Sequence, residues 1–510
     1  MSDKITAFTE QVKNGYTFAG KSIRIGGAML DQKVIPGLDV YLPLKTMNRH
    51  GLISGATGTG KTKTLQLISE GLSDADIPVL LMDIKGDLSG IAAPAVPNDK
   101  ILQRSKLLNV DFKPQGYPVE LLSLSNQPGV RLRATVSEFG PVLLAKMLGL
   151  NDNQEGLLAM LFKFCDDNKL PLLDLKDLKE VLKYASGPGK DELSKEYGHI
   201  ASSSTGTILR LIIELEGQGA NLFFGEKSFE VNDLLRTTYD GKGMVSIVRL
   251  TDIQDKPKLF STFMLSLLSE LYATLPEVGD PDQPKLVMFL DEAHLIFQEA
   301  GSVLLQKIET IVKLIRSKGV GVFFCTQNPT DIPASVLSQL GLKVQHALRT
   351  FTAKDRQAIK QTAENYPLSD FYKTDEIITR LGIGEALITL LNEKGTPTPL
   401  VHTLLCPPHS RMDMLTDMEI STLISRSSLT GKYNHTIDEE SAYEILQGKL
   451  NLDQTDQSAT PPSVSAQRPQ PSVLNEILKS PMTRQVGRQM GRTVTSVIYA
   501  LFVGDAHEKA

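Results

Sequence analysis

Eight residues near the start of the chain combine glycines, a lysine and a threonine at a spacing suited to holding phosphate. They read GATGTGKT and fit the pattern G-x-x-x-x-G-K-[ST]. Glycines let backbone N–H groups turn inward around phosphate oxygens, the lysine supplies a cation for the β- and γ-phosphates, and the threonine hydroxyl is a ligand for Mg²⁺. The sequence therefore predicts a nucleotide-phosphate loop made of Gly55, Ala56, Thr57, Gly58, Thr59, Gly60, Lys61 and Thr62.

Two adjacent acids, Asp291 and Glu292, follow the apolar run LVMFL. Beside bound ATP and Mg²⁺, we expect Asp291 to hold Mg²⁺ through water and Glu292 to orient or deprotonate the attacking water as general base. Acids also favour helix N-termini, so the alternative is that the pair only caps the next helix. The phosphate loop elsewhere in the chain favours the metal-and-base interpretation.

Polar residues follow two other apolar runs. Gln327 follows GVGVFFCT, and its amide is expected at the carboxyl edge of a sheet, where ligands of open α/β sheets bind. There it would contact the γ-phosphate or the attacking water; the alternative is an amide that only stabilises its loop. Lys85 and Asp87 follow IPVLLMD, and they either line the same site or form a solvated turn.

Short apolar runs alternate with amphipathic helical patterns between these residues. Continuous apolar runs are typical of parallel strands that are covered on both faces. The alternation predicts an α/β fold with a mainly parallel sheet and helices on both faces. The predicted strands lie within 50–54, 77–87, 243–250, 285–294, 319–329 and 342–349.

Changes of pattern divide the chain into seven predicted segments. Apolar spacing turns helical after residue 135, and the stretch 451–472 is rich in proline and small polar residues, which favours a disordered linker. The segments are a small N-terminal β-rich part (1–45), the first part of the ATPase core (46–135), a helical insertion (136–235), the second part of the core (236–410), a helical extension (411–450), the linker (451–472) and a C-terminal helical tail (473–510).

Composition indicates the cellular location of the protein but does not identify a binding partner. The formal net charge is −5 and the charged fraction 22%, so no globally basic surface indicates nucleic acid. The three cysteines are far apart, the N-terminus shows no export signal, and the apolar run 494–503 has about half the roughly 20 residues needed to span a bilayer. We expect a cytoplasmic protein without a membrane span.

Several longer motifs together resemble one known family. HGLISGATGTGKT, DIKGDLSG, LPEVGDPDQPKLVMFLDEAHLIF, IRSKGVGVFFCTQNPTDIPASVLSQLG and VQHALRTFTAKD are similar to the HerA-like branch of the FtsK/HerA ATPase superfamily, particularly its bacterial YjgR-type members. The resemblance covers roughly residues 20–410, and the tail RQVGRQMGRTVTSVIYALFVG is similar too. It implies a RecA-like P-loop NTPase core that forms a homohexameric ring, hydrolyses ATP with Mg²⁺ at subunit interfaces and usually moves DNA.

Ring motors of this kind need a positive group that reaches the neighbour's γ-phosphate. Two arginines match in position: Arg316 follows an amphipathic helical pattern at 303–316, and Arg349 ends the predicted strand after the one that carries Gln327. The alternative for each is a surface ion pair. Roughly 45 residues precede the phosphate-loop segment, too few for the barrel with which archaeal members contact a nuclease, so a nuclease or other protein partner stays open.

Two other functions fit the same phosphate loop. One is an ATP-dependent assembly switch that acts on a protein partner without DNA. The other is a phosphotransferase, although no acceptor-site motif is recognisable. The expectation of DNA as substrate rests on the family resemblance alone.

Overall fold

The structure is a computed structural model that describes residues 2–253, 256–298, 302–349, 352–435 and 440–457. The described residues form two compact units. The first contains those of Met1–Leu132 and Glu230–His435, and the second contains those of Arg133–Phe229 and Thr436–Ala510. The predicted tail at 473–510 lies outside the described residues.

In the described part of the first unit, twelve strands form one sheet. Their order across the sheet is β2-β1-β12-β11-β10-β3-β9-β8-β4-β7-β5-β6. The strands are β1 (Ser22–Leu30), β2 (Lys33–Pro43), β3 (Gly51–Ser54), β4 (Val79–Asp83), β5 (Val119–Ser123), β6 (Val130–Arg131), β7 (Val245–Arg249), β8 (Leu286–Leu290), β9 (Val320–Thr326), β10 (Leu342–Gln345), β11 (Glu385–Thr389) and β12 (Val401–Leu405).

The sheet has two halves that differ in strand direction. From β10 through β3, β9, β8, β4, β7 and β5 to β6, all neighbours are parallel. From β10 through β11, β12 and β1 to β2, all neighbours are antiparallel. We call these the parallel half and the antiparallel half. The six predicted strands form most of the parallel half, so the predicted α/β fold with a mainly parallel sheet is confirmed.

Helices surround the sheet in the first unit and form most of the second. They are α1 (Ser2–Tyr16), α2 (Lys61–Asp74), α3 (Asp99–Leu108), α4 (Val136–Leu148), α5 (Asp152–Asn168), α6 (Leu175–Ser186), α7 (Lys190–Glu196), α8 (Ser202–Gly217), α9 (Pro257–Thr274), α10 (His294–Gln298), α11 (Ser302–Ile315), α12 (Ala334–Leu337), α13 (Ala353–Glu364), α14 (Thr374–Arg380), α15 (Asp417–Ser425), α16 (Ser428–Tyr433) and α17 (Ala442–Gln457).

The central strands are covered on both faces. Phe323 of β9 belongs to the core that contains Leu65 and Ile68 of α2. Its neighbour Phe324 must point to the opposite face, and there its ring lies 5.9 Å from that of Phe297 in α10. All five residues of β8 and all seven of β9 are buried, which explains their unbroken apolar sequences.

The second unit is helical in its described residues. Helices α4 to α8 lie inside the predicted insertion at 136–235, and α17 covers 442–457. The hydroxyl of Ser441 donates to Asp177 at 2.5 Å, which ties the start of α17 to α6. Residues 451–457 of the predicted linker belong to α17, and the rest of that linker lies outside the described residues. The seven segment bounds stay predictions.

The N-terminal segment contains a helix in addition to its predicted strands. It begins with helix α1, whose Phe8, Val12 and Tyr16 are buried at a spacing of four residues. Its strands β1 and β2 extend the main sheet because β1 pairs with β12, more than 370 residues later in the chain. Strands β11 and β12 lie outside the six predicted strands, and they supply the rest of the antiparallel half.

Candidate nucleotide site

The predicted phosphate loop joins β3 to α2 at the carboxyl edge of the parallel half. Gly58 and Gly60 have φ angles of 76° and 114°, a region that favours glycine. A Cβ on Gly55 would lie 2.5 Å from the Cβ of His346, so this position also requires glycine. Helix α2 begins at Lys61, directly after Gly60. Its free N–H groups and the positive end of its dipole are therefore placed beside the loop, which suits an anion.

Lys61 lies folded across its own loop. Its Nζ donates to the carbonyl oxygens of Gly55 at 2.7 Å and Ala56 at 3.2 Å. Burial lowers the pKa of Lys61, and the charge of Lys85 acts in the same direction while Glu292 and Asp291 oppose it. The structure thus brings Lys61, Lys85, Asp291 and Glu292 within electrostatic reach of one another.

Asp291 lies directly after β8, with only 4% of its surface exposed. Burial raises the pKa of Asp291 to about 6, although the charge of Lys85 opposes the rise. Among the described residues, its Oδ2 has no hydrogen-bond partner. A buried carboxylate oxygen without a protein partner fits a hard cation such as Mg²⁺, which prefers oxygen ligands. Thr62, in the first turn of α2, is half-buried.

Glu292 sits in an unusual backbone conformation, and its carboxylate lies between Lys85 and His294. Its φ angle is 47°, in the left-handed region that glutamate seldom occupies. Lys85 Nζ forms an ion pair with Glu292 Oε1, and His294 Nδ1 lies 3.3 Å from Oε2. Burial works against the charge of Lys85, but Asp291 and Glu292 together raise the pKa of this lysine.

The turn that carries Lys85 is fixed by Asp83, at the end of β4. The Asp83 carboxylate accepts from the backbone N–H groups of Gly86 at 2.7 Å and Leu88 at 3.2 Å. Burial, reinforced by Asp87, raises the pKa of Asp83 to about 7. Because β4 pairs with β8 in parallel register, the turn after β4 lies beside the acids after β8.

Gln327 is exposed directly after β9, at the same edge of the sheet. It lines a cavity of about 440 Å³ together with His294, Phe297, Asn328 and Asp331. The Asp331 carboxylate accepts from the Thr326 hydroxyl at 2.8 Å and from the Asn328 N–H at 3.2 Å. These contacts hold the loop that presents Gln327 next to the residues after β8.

The two candidate arginines lie at opposite edges of the sheet. Arg316 follows α11 and precedes β9, so it lies at the amino edge, whereas the phosphate loop follows its strand. The seven residues of β9 separate the two edges by about 20 Å. Arg349 lies four residues after the end of β10 and therefore at the carboxyl edge. Both arginines are exposed.

Two residues at this edge were not identified from the sequence. Asp83 ends an apolar run in the same way as Asp291, so that pattern could have revealed it. His346 carries no such signal. It follows β10, and its Nε2 lies 2.8 Å from the Thr64 hydroxyl; burial, with the charge of Lys61 acting in the same direction, lowers the pKa of His346 to about 4. The next residue accepts from the phosphate loop, since Ala56 N–H donates to the Ala347 carbonyl at 2.8 Å.

Residues 30–505 match the model of the family described as helicase HerA-like, C-terminal. The chain belongs to this family. It is therefore a P-loop ATPase, and the predicted HerA-like membership, the enzyme class and the use of ATP are confirmed. The requirement for Mg²⁺ stays a prediction.

Two curated relatives show how distant the similarities are. The DNA double-strand break repair helicase HerA of Sulfolobus acidocaldarius is 20% identical over 391 residues, which cover 73% of this chain and 67% of the relative. A probable helicase of Methanocaldococcus jannaschii is 23% identical over 421 residues, which cover 75% of this chain and 70% of the relative.

Solved structures give similar matches. The bacterial conjugative coupling protein TrwB, lacking its first 70 residues, aligns with a TM-score of 0.49 and 13% identity, over 80% of this chain and 94% of that one. VirB4 of Thermoanaerobacter pseudethanolicus aligns with a TM-score of 0.49 and 15% identity, over 77% of this chain and 98% of that one.

In the described part of this HerA-like chain, no helix has the length and apolar character that a membrane crossing requires.

Proposed function

We propose that this HerA-like ATPase is a ring-forming motor that couples hydrolysis of ATP to movement along DNA. One observation carries the hydrolytic part: the phosphate loop, Asp291 and Glu292 meet at one edge of the sheet although they are more than 200 residues apart in the chain. The DNA part is supported by the relatives, one of which is a helicase of DNA double-strand break repair.

The phosphate loop and α2 would bind the triphosphate. Backbone N–H groups of the loop and the N-terminus of α2 would hold the phosphate oxygens. Lys61 would leave the carbonyl oxygens of Gly55 and Ala56 for the β- and γ-phosphates. Thr62 and Asp291 would hold Mg²⁺, Asp291 through water. When bound, the metal would neutralise the charge that develops on the transferred phosphoryl group.

Glu292 would act as the general base. Its carboxylate would accept a proton from the attacking water at Oε1 or Oε2, while the γ-phosphate is the group under attack. Gln327, which emerges one strand away on β9, would contact the γ-phosphate or the attacking water through its amide. Glu292 lies at the same edge of the sheet as the unpartnered Oδ2 of Asp291 and two lysines, Lys61 and Lys85. This arrangement suits phosphoryl transfer, because positioning and electrostatics provide most of the catalysis in that reaction.

A ring would complete this site with an arginine from the neighbouring copy. Arg316 lies about 20 Å from its own phosphate loop across the sheet, so it would act only on a neighbour, through a head-to-tail interface. Arg349 lies on the phosphate-loop edge and is the second candidate. A homohexamer, a cytoplasmic location and a nuclease or other protein partner stay predictions.

The experiment that tests the motor is the steady-state ATPase rate with and without double-stranded DNA, at low and at moderate salt. We expect several-fold stimulation that fades as salt rises, because contacts to the phosphate backbone release counterions. The Glu292→Gln variant supplies the background rate. A rate that is indifferent to DNA at every salt would contradict the motor, and it would favour an assembly switch that acts on a protein partner.

A further inference from the structure

We propose that Lys85 exchanges partners during the ATPase cycle: it pairs with Glu292 in the absence of nucleotide and with the γ-phosphate when ATP is bound. The inference rests on the proposed function because it assigns Glu292 the role of base. It adds a lysine, outside the phosphate loop, that distinguishes ATP from ADP and releases the base only when a γ-phosphate is present.

The geometry of the pair is the first argument. Lys85 Nζ contacts Glu292 Oε1, and His294 Nδ1 lies 3.3 Å from Oε2. An ammonium group in contact with a carboxylate oxygen occupies the position from which a water molecule would donate its proton, so Lys85 blocks Glu292 Oε1 as an acceptor. Glu292 therefore needs a change of partner before it can act as base.

Unequal burial indicates which partner would move. The side chain of Lys85 is 34% exposed, whereas that of Glu292 is 8% exposed. Asp83 fixes the backbone of the turn through the N–H groups of Gly86 and Leu88. The four-carbon stem of Lys85 thus extends from a fixed base toward partly open space, and its ammonium group can be redirected without a backbone shift.

The charges around Lys85 give the reason for the exchange. In the structure, Lys61 donates to loop carbonyl oxygens and Lys85 contacts Glu292, so both lysines have protein partners. The two lysines are close enough for the charge of Lys85 to lower the pKa of Lys61. A γ-phosphate bound beside Lys61 therefore lies within reach of the field of Lys85. It carries more negative charge than a carboxylate, and it accepts charge-assisted hydrogen bonds from an ammonium group.

A thermodynamic cycle on nucleotide affinity tests the exchange. The four proteins are wild type, Glu292→Gln, Lys85→Met and the double variant, each titrated in Mg²⁺ with a non-hydrolysable β,γ-imido analogue of ATP and with ADP. We expect Glu292→Gln to bind the analogue about fivefold more tightly, because Lys85 no longer has to leave a carboxylate. Lys85→Met should bind it about tenfold more weakly, and in that background Glu292→Gln should have no effect.

ADP is the internal control because it lacks the γ-phosphate, so its affinity should change less than about twofold in all four proteins. Lys85→Arg, which keeps the charge, should restore most of the affinity for the analogue. Lys179 and Glu216 in the second unit form a matched pair, 2.7 Å apart with both side chains 25% exposed. Lys179→Met and Glu216→Gln should leave both affinities unchanged.

Two results would overturn the proposal: equal effects of Glu292→Gln in the presence and absence of Lys85, or equal effects on ADP and the analogue. Either would make the ion pair a static support. If Lys85→Met does not fold, as judged by its melting curve, Glu292→Gln still decides through its ratio of analogue to ADP affinity. These binding measurements do not depend on DNA, so a failed motor and a failed exchange give different results.

Discussion

Two buried polar clusters in the same sheet are built in opposite ways. In the antiparallel half, the Tyr16 hydroxyl lies 2.9 Å and 2.8 Å from the carbonyl oxygens of Ile388 and Pro399, and it accepts from the Thr398 hydroxyl at 3.0 Å. At the carboxyl edge of the parallel half, Asp291 Oδ2 has no partner among the described residues. Both clusters are buried, but only the first is fully hydrogen-bonded.

The difference separates scaffold from site. A buried polar group that lacks a partner costs free energy, so folded proteins normally satisfy it. The unpartnered oxygen of Asp291 lies next to Glu292, whose backbone is strained. A bound ligand that supplies the missing interaction explains why the protein keeps this unfavourable free energy. The unsatisfied Oδ2 of Asp291 therefore lies at the edge that carries the phosphate loop, and the antiparallel half supports that edge from the side of β10.

The candidate arginines test the division into scaffold and site most directly, because Arg316 belongs to neither of the two clusters. Arg316→Ala should lower kcat by about 10³-fold if it completes a neighbour's site. Mixing it with Glu292→Gln should restore part of the activity, since some interfaces then contain one intact base and one intact arginine. Arg349→Ala, measured in the same way, is the matched variant. Mixtures no more active than their components would exclude action on a neighbour.

The base assignment predicts the next largest effect. Glu292→Gln should lower kcat by about 10²–10³-fold, because an amide cannot accept the proton. Binding of the ATP analogue should be retained. A single-turnover assay with radiolabelled ATP and a parallel binding titration would measure the two quantities. A variant that binds and hydrolyses at the wild-type rate would remove Glu292 from the reaction.

Asp291 should control the requirement for metal. Asp291→Asn should raise the Mg²⁺ concentration for half-maximal ATPase activity by about tenfold or more, since the neutral amide is a weaker ligand than a carboxylate. A Mg²⁺ titration at saturating ATP measures it. Glu216→Gln, in the second unit, is the control. An unchanged Mg²⁺ titration for Asp291→Asn would contradict the role of the free Oδ2.

The fully bonded cluster should affect stability and not chemistry. Tyr16→Phe removes the hydroxyl and leaves the Thr398 hydroxyl without its acceptor, which should lower the free energy of unfolding by about 1–2 kcal/mol. Urea unfolding would measure the change. The ATPase rate should stay at the wild-type value, and Tyr239→Phe, at a fully exposed tyrosine, should change neither quantity. A large loss of ATPase activity in Tyr16→Phe would contradict this division, because it would show that the Tyr16 cluster also contributes to catalysis.

Much of the parallel half could be predicted from the sequence because its signals are local. A strand buried on both faces needs an unbroken apolar run, and β8 and β9 show it directly. The antiparallel half could not be predicted in this way. Strands β1 and β12 have no distinctive local pattern, and their pairing joins Gly26 to Leu405, which are far apart in the chain. Helix α1 did carry a local signal, the spacing of Phe8, Val12 and Tyr16, and it was missed among the glycine and proline breaks that follow.

By itself, the sequence determined the identity of the phosphate loop and the acids after β8. Their residue types are required by the chemistry at fixed local spacing, whatever the rest of the chain does. The tertiary structure decided the partners: Lys85 against Glu292, His346 behind the loop, and Arg316 at the far edge. These contacts depend on which strands become neighbours, and strand order is set by packing over the whole sheet, so no short stretch of residues encodes it.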